Sequence, residues 1–190
     1  MTARVELPAL EDMSPEQRRI YDQAVSYLGG PVGPRIALIG TPEVAARWSD
    51  LLTAVQQSAL DRRLWELSIL IVARHWGSQF EWYAHERPAL ERGISPEAVE
   101  AIRHGRRPTT LLGDEQRVYD YATELLENHH VSDETYGRLR DVIGSKQLVE
   151  LTVLMGHYSS VAMTLNAHCM PLPDGVEPPL PLLSRTGAGS

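Results

Sequence analysis

LWELSILIVARHWGSQFEWYAHERPALE, Leu64 to Glu91, is the stretch whose reading decides the fold. Its first half, Leu64 to Trp76, is apolar on nearly every side, with Glu66, Arg74 and His75 as the exceptions. A helix apolar all round belongs at the centre of a helical fold. The second half carries Ser78, Glu81, Trp82 and His85. Ionisable groups beside so apolar a segment need partners, water or a chemical task. On one straight helix, Glu66 and His85 would stand roughly 28 Å apart. Gly77-Ser78 changes that, because glycine is favoured just past a helix end and serine at a helix start. The stretch therefore reads as two helices, the second from about Gln79, and a fold-back at Gly77 lets Glu66 and His85 converge.

Each polar residue has two readings. Ser78 is first a helix cap, and Ser78-x-x-Glu81 fits a capping box. Glu81 either completes that box or serves as a catalytic acid; it also stands four residues before His85, at ion-pair spacing. His85 is either an acid/base group or a satisfied structural histidine. Glu66 is either an orienting carboxylate or the partner of Arg63 or Arg74. Trp82 and Tyr83 read as core or pocket wall, and His75 and His157 as histidines of the long helices. Two ligands at Glu81 and His85 do not make a metal set, since no second Glu/His helix pair accompanies them. Phosphate-loop, dinucleotide and nucleophile-elbow motifs are absent from the sequence.

Outward from this stretch the punctuation is helical throughout. Ser14-Pro15-Glu16, Thr41-Pro42-Glu43 and Ser95-Pro96-Glu97 are capped helix starts. The first predicts a helix with Ile20, Tyr21, Ala24, Val25 and Leu28 on one face; the second runs to about Ala59, with Asp61 as cap of the central helix. GPVGPRIALIG, residues 30 to 40, reads as a loop whose aliphatics line something. Further helices are expected over Asp114 to about Asn128, Ser132 to about Gly144, and Ser145 to about His168. From Pro171 the composition turns to PLPDGVEPPLPLLSRTGAGS, an extended tail expected against a surface, such as that of a neighbouring subunit, with its last residues disordered. Residues 1–172 thus read as one all-α domain and 173–190 as a Pro-rich tail. Trp65-Glu66-Leu67-Ser68-Ile69-Leu70 recurs as Val149-Glu150-Leu151-Thr152-Val153-Leu154. Two related helical halves follow from that repeat. The second copy has Ala162, Leu165 and Cys169 where the first has Ser78, Glu81 and His85, so helix packing alone does not demand the polar set.

Composition narrows the function. A 190-residue chain with 43% apolar residues can build a sizeable core. Net charge is −7 and no basic stripe is present, which argues against nucleic acid as a partner. One cysteine, Cys169, excludes an internal disulfide or a CxxC redox pair. No basic and then apolar leader opens the chain, and no uncharged apolar run approaches a membrane span. A cytoplasmic protein without membrane association is expected.

The runs E-L-S-I-L-I-V-A-R and G-S-Q-F-E-W-Y-A-H, with the following Gly-Ile-Ser-Pro-Glu turn, resemble the carboxymuconolactone decarboxylase family, which includes the alkylhydroperoxidase D-like proteins. The resemblance extends from about Gly33 to Leu172, through VELTVLMGHYSSVAMTLNAH and PLPDG. It implies an all-helical fold that assembles as a trimer or hexamer. The peroxidase branch carries E-x11-C-x2-C-x3-H; at that spacing this chain reads Glu66, Ser78, Glu81, His85. Both cysteines are replaced, so dithiol–disulfide cycling is not expected. What the resemblance then implies is the decarboxylase side: a lyase or isomerase, needing no cofactor and no metal, acting on a small unsaturated or lactone carboxylic acid. His85 is expected as main acid/base, Glu81 as its partner or second proton carrier, and Glu66 as orienting group, with Ser78, Trp82 and His75 contacting substrate. The alternative is a non-catalytic oligomeric relative that binds a small ligand or a partner protein.

Overall fold

The computed structural model describes residues 3–182, with the side chains of Tyr27 and Leu28 excepted, and contains helices only among them. In chain order these are α1 (Pro15–Leu28), α2 (Pro34–Ala37), α3 (Pro42–Gln56), α4 (Arg62–Trp76), α5 (Gln79–Glu91), α6 (Pro96–Arg103), α7 (Gly113–Asn128) and α8 (Asp133–Ala167). The expected loop at residues 30 to 40 contains one extra turn of helix, α2, started by Pro34 behind Gly33. The end of the Pro-rich tail and the Leu28 side chain, both given roles above, lie outside the described residues.

α4 is the central helix. Leu67, Leu70, Val72 and Ala73 have no exposed surface, and α5, α7 and α8 pack around them. Asp61 caps it, accepting from the Arg63 N–H at 2.8 Å. Gly77 ends it at φ 62°, ψ 32°, in the left-handed region. A Cβ built there would meet no atom within 4 Å, so the backbone conformation, not space, selects glycine. The second half of α8 packs on α4 as the repeat leads one to expect, with Leu151 and Leu154 fully buried. α8 is long and apolar enough to cross a bilayer by length and composition, but half of its apolar window is buried within this fold. It is also broken at Gly144 (φ 80°, ψ 160°), where the sequence punctuation divides it.

A second, smaller cluster forms where α1, α2 and α3 meet: Ile20, Ala24, Ile36, Ile39 and Ala45. The gap between this cluster and the main core is where a cavity opens. Both chain ends brace the body. The Arg4 N–H donates to the His168 carbonyl at 2.9 Å. The C-terminal tail lies on its own chain, across the α4–α5 junction. Gln79 exchanges two hydrogen bonds with the Leu180 backbone (2.8 and 2.9 Å), Arg74 donates to the Pro181 carbonyl (3.0 Å), and Arg103 donates to that of Pro179 (2.7 Å). Leu180 is buried in the main core.

The start of α4 is tied to the start of α7 by charge. Arg63 bonds Asp114 at 2.6 Å and also Glu115, whose side chain is 2% exposed. Hydrogen bonding to Arg63 holds the Asp114 carboxyl below its ordinary range. Removing one member of such a buried arrangement leaves the other charge uncompensated. Arg63→Met should therefore lower unfolding free energy by about 3 kcal/mol, measured by urea denaturation, whereas Arg87→Met, at an exposed pair with Glu91, should be close to neutral.

Candidate functional site

The break at Gly77 folds α5 back along α4, and three of the expected residues meet there. His85 Nδ1 and Glu66 Oε2 are 2.7 Å apart. Glu66 bonds neither Arg63, which is held by Asp114 and Glu115, nor Arg74, which is held by the tail. His85 in turn does not use the carboxylate four residues before it: both Glu81 oxygens are buried with no hydrogen-bond partner. The helical spacing of Glu81 and His85 thus leaves Glu81 free, because Glu66 has taken the imidazole.

Glu81 and His85 line a cavity of about 440 Å³ between the two cores. α3 adds Trp48 and Leu52, α8 adds His157 and Tyr158, and the segment before and within α2 adds Val32 and Arg35. Of the aliphatics in the 30 to 40 connection, Val32 lines the cavity, whereas Ile36 and Ile39 are buried in the smaller core. Tyr158 meets His85 edge-on, with ring centroids 5.0 Å apart and planes at 89°. His157 stacks on Trp48 at 4.7 Å, and its Nδ1 is buried without a partner.

The electrostatics separate these groups. Burial pushes the Glu81 carboxyl well above the ordinary carboxylate range, so it is a neutral acid. Burial, with Glu66 and Glu81 nearby, likewise raises the Tyr158 phenol, which stays protonated. Burial lowers His157, which stays neutral. The contact with Glu66 occupies Nδ1 of His85 and leaves Nε2 as the ring's free nitrogen. The wall thus combines an imidazole oriented by Glu66 with several neutral proton donors. Among the described residues no group of three or more His, Cys, Asp or Glu side chains is placed to hold a metal ion.

The other expected site residues lie elsewhere. Ser78 occupies the N-cap position of α5 but its side chain makes no capping bond; its hydroxyl is fully buried, unpaired, and outside the cavity lining. The predicted capping box is therefore not formed on either side. Trp82 is core: it is fully buried, donates from Nε1 to Glu86 at 3.0 Å, and has the Arg103 guanidinium over its ring. His75 sits on the far side of α4, exposed, beside Glu127 and Tyr119. Tyr158, Trp48 and Arg35 were not singled out from sequence. The i,i+1 pair His157-Tyr158 in the second repeat was the one available signal, since polar rings on a core helix need a reason to be there.

Residues 42–124 match the carboxymuconolactone decarboxylase family. The matched stretch runs from the start of α3 into α7 and takes in the whole of α4 and α5. The fold is similar to the alkylhydroperoxidase AhpD core of an uncharacterised peroxidase-related protein from Ralstonia eutropha, with TM-score 0.74 and 12% identity over 90% of this chain and 93% of that one. It is similar to an Agrobacterium tumefaciens protein of unknown function proposed as an antioxidant defence AhpD, with TM-score 0.65 and 19% identity over 74% of this chain and 96% of that one. It is also similar to a cysteine-to-alanine variant of the debrominase Bmp8 solved with 2,3,4-tribromopyrrole, with TM-score 0.70 and 12% identity over 92% and 93%. At such identities the likeness establishes the fold. No curated protein sequence matches the chain significantly.

The raised pKa of Glu81 has a thermodynamic sign. In the unfolded chain this group ionises near pH 4.3, roughly; in the folded chain it stays neutral. Its neutral burial is fully tolerated below the unfolded value, and stability is lost as pH rises toward the folded one. Glu81→Gln has no charge to suppress. Its unfolding free energy should match the parent's near pH 4 and exceed it increasingly as pH rises, by about 1.4 kcal/mol per pH unit until the folded pKa is passed, with its melting temperature rising in step. Thermal scans of both proteins across pH 4 to 9 test this.

Proposed function

We propose that the protein is a cofactor-independent acid/base enzyme, a lyase or isomerase acting on a small unsaturated or lactone carboxylic acid. The observation that carries the reading is a cavity wall on which His85, held from behind by Glu66 at 2.7 Å, stands beside the unpartnered, neutral carboxyl of Glu81. His85 Nε2 moves the proton to or from carbon, and Glu66 fixes its tautomer and stabilises the imidazolium that forms. Glu81 and Tyr158, both protonated, are donors for an oxygen that gains negative charge. These are the needs of an enolate: loss of CO₂ from an unsaturated lactone acid, or removal of an α-proton, leaves a dienolate to be held and then protonated at carbon.

The arrangement redistributes the roles expected from sequence. Glu66 takes the partner role given to Glu81, and Glu81 becomes a neutral donor. Thiol peroxidase chemistry is disfavoured because Ser78 and Glu81 occupy the two cysteine positions of the peroxidase motif. Assembly into a homo-oligomer belongs to the same proposal; Val149, Val153 and Met163 leave an apolar stripe exposed along α8.

Screening unsaturated lactone acids for CO₂ release, and for solvent deuterium incorporation at carbon, is the direct test. On a substrate so found, His85→Ala should lower kcat by about 100-fold or more without changing the near-ultraviolet circular dichroism. Unchanged turnover in that variant, with fold intact, removes the assignment. With an alkyl hydroperoxide and a dithiol, the parent should consume peroxide no faster than the uncatalysed mixture; sustained turnover would overturn the exclusion of redox chemistry.

A further inference from the structure

The cavity has one arginine in its lining. Arg35, on the one-turn helix α2, stands beside Gln23 of α1, and its Nη1 donates to Gln23 Oε1 at 3.2 Å. Among the described residues, Arg35 makes no salt bridge. Its counterparts elsewhere are committed: Arg63 to Asp114, Arg103 to Glu86 and Glu100, Arg107 to Asp120. A guanidinium held only by a neutral amide keeps donors free in the planar fork that fits a carboxylate.

Arg35 also lines a second depression, about 690 Å³, on the outer side of α1 with Arg18, Arg19 and Asp22. Arg18 bonds Asp22 at 2.8 Å, which leaves Arg19 and Arg35 without a carboxylate at this face among the described residues. The chain as a whole carries −7. A local excess of positive charge at the entrance of an otherwise acidic protein focuses small anions there. Behind the entrance the wall changes character. Trp48, Phe80 and the Tyr158 ring supply aromatic surface, and the two acids of the lining, the Glu81 carboxyl and the Tyr158 phenol, are neutral and do not repel an anion.

We infer that Arg35 is the specificity-determining residue of this site: it anchors the carboxylate of an organic acid at the cavity mouth. The apolar body of the acid lies along Trp48, Phe80 and Tyr158, toward His85. This rests on the acid/base reading above for what happens to the anchored molecule, but the anchoring is a binding property and can be read without turnover. Exposure of Arg35 fits the role, since a hydrated guanidinium at the mouth pairs with an anion and releases it again.

Benzoate and benzamide, equal in shape and different in charge, are suitable probes, with Trp fluorescence and amide NMR shifts around Trp48 and Tyr158 as readouts. The full-length parent should bind benzoate at least tenfold more tightly than benzamide, with the preference shrinking as salt is raised. Arg35→Gln should lose that preference while melting at the parent's temperature. Arg35→Lys should retain it in part. Equal affinity of the parent for the two probes, no saturable benzoate binding, or undiminished benzoate preference in Arg35→Gln overturns the inference. If Arg35→Gln loses benzoate but His85→Ala leaves substrate turnover unchanged, the anchor stands and the proton-transfer reading falls; the opposite pattern spares the chemistry and removes the anchor.

Discussion

The site depends on the left-handed turn at Gly77. Nineteen residues of uninterrupted helix would keep Glu66 and His85 far apart; one residue at φ 62° folds α5 back and brings them to 2.7 Å. The turn is cheap for glycine alone, and the empty space around its Cα shows that no steric demand competes with that reason. Everything chemical follows from the fold-back. It takes Glu66 away from the arginines near it in sequence, gives it an imidazole, and leaves Glu81 with no cation to hold it ionised.

That last consequence ties stability to function. A buried carboxyl without a partner costs folding free energy at any pH where its unfolded form would ionise. The second repeat shows that the scaffold has an apolar solution at the equivalent place, Leu165, which is buried in the core. The first repeat keeps the acid. Sites that hold a neutral carboxylic acid against its ordinary ionisation do so to donate a proton or a hydrogen bond, and Glu81 sits on a cavity wall where such a donor can be used.

Much of this was legible in the sequence because it rests on local rules. Glycine after an apolar run, serine or aspartate before one, and proline at the first turn place the helix ends at Gly77, Asp61, Pro15 and Pro96 within a residue or two. The convergence of Glu66 and His85 followed from the same rules plus a length argument. The partner choices did not. Ser78 and Glu81 have the spacing of a capping box, yet tertiary burial of both side chains overrides that local bond. Trp82 and His75 share a segment with the site but point to other faces of it, which spacing alone does not reveal until the helix orientations are fixed. Arg35, Trp48 and Tyr158 reach the cavity from positions 37 to 73 residues away from His85 in the chain, and such contacts are set by how α2, α3 and α8 dock.

On the proposed reading, the position of Arg35 constrains the reaction as well as the substrate. A carboxylate held by a guanidinium is stabilised as the anion, and that stabilisation opposes its departure as CO₂, because the electron pair must leave the charged group for carbon. The anchored carboxylate is therefore the one that survives. Decarboxylation at this site requires a second carboxylate placed deeper, where the wall is aromatic and its acids are neutral, so that charge is destabilised on the group to be lost and accepted on the enolate oxygen instead. Isomerisation requires only the anchored one, with His85 moving a proton on the carbon chain. The number of carboxylates on the substrate and the choice between the two reactions are thus a single question, and the charge arrangement between Arg35 and Glu81 is what makes them one.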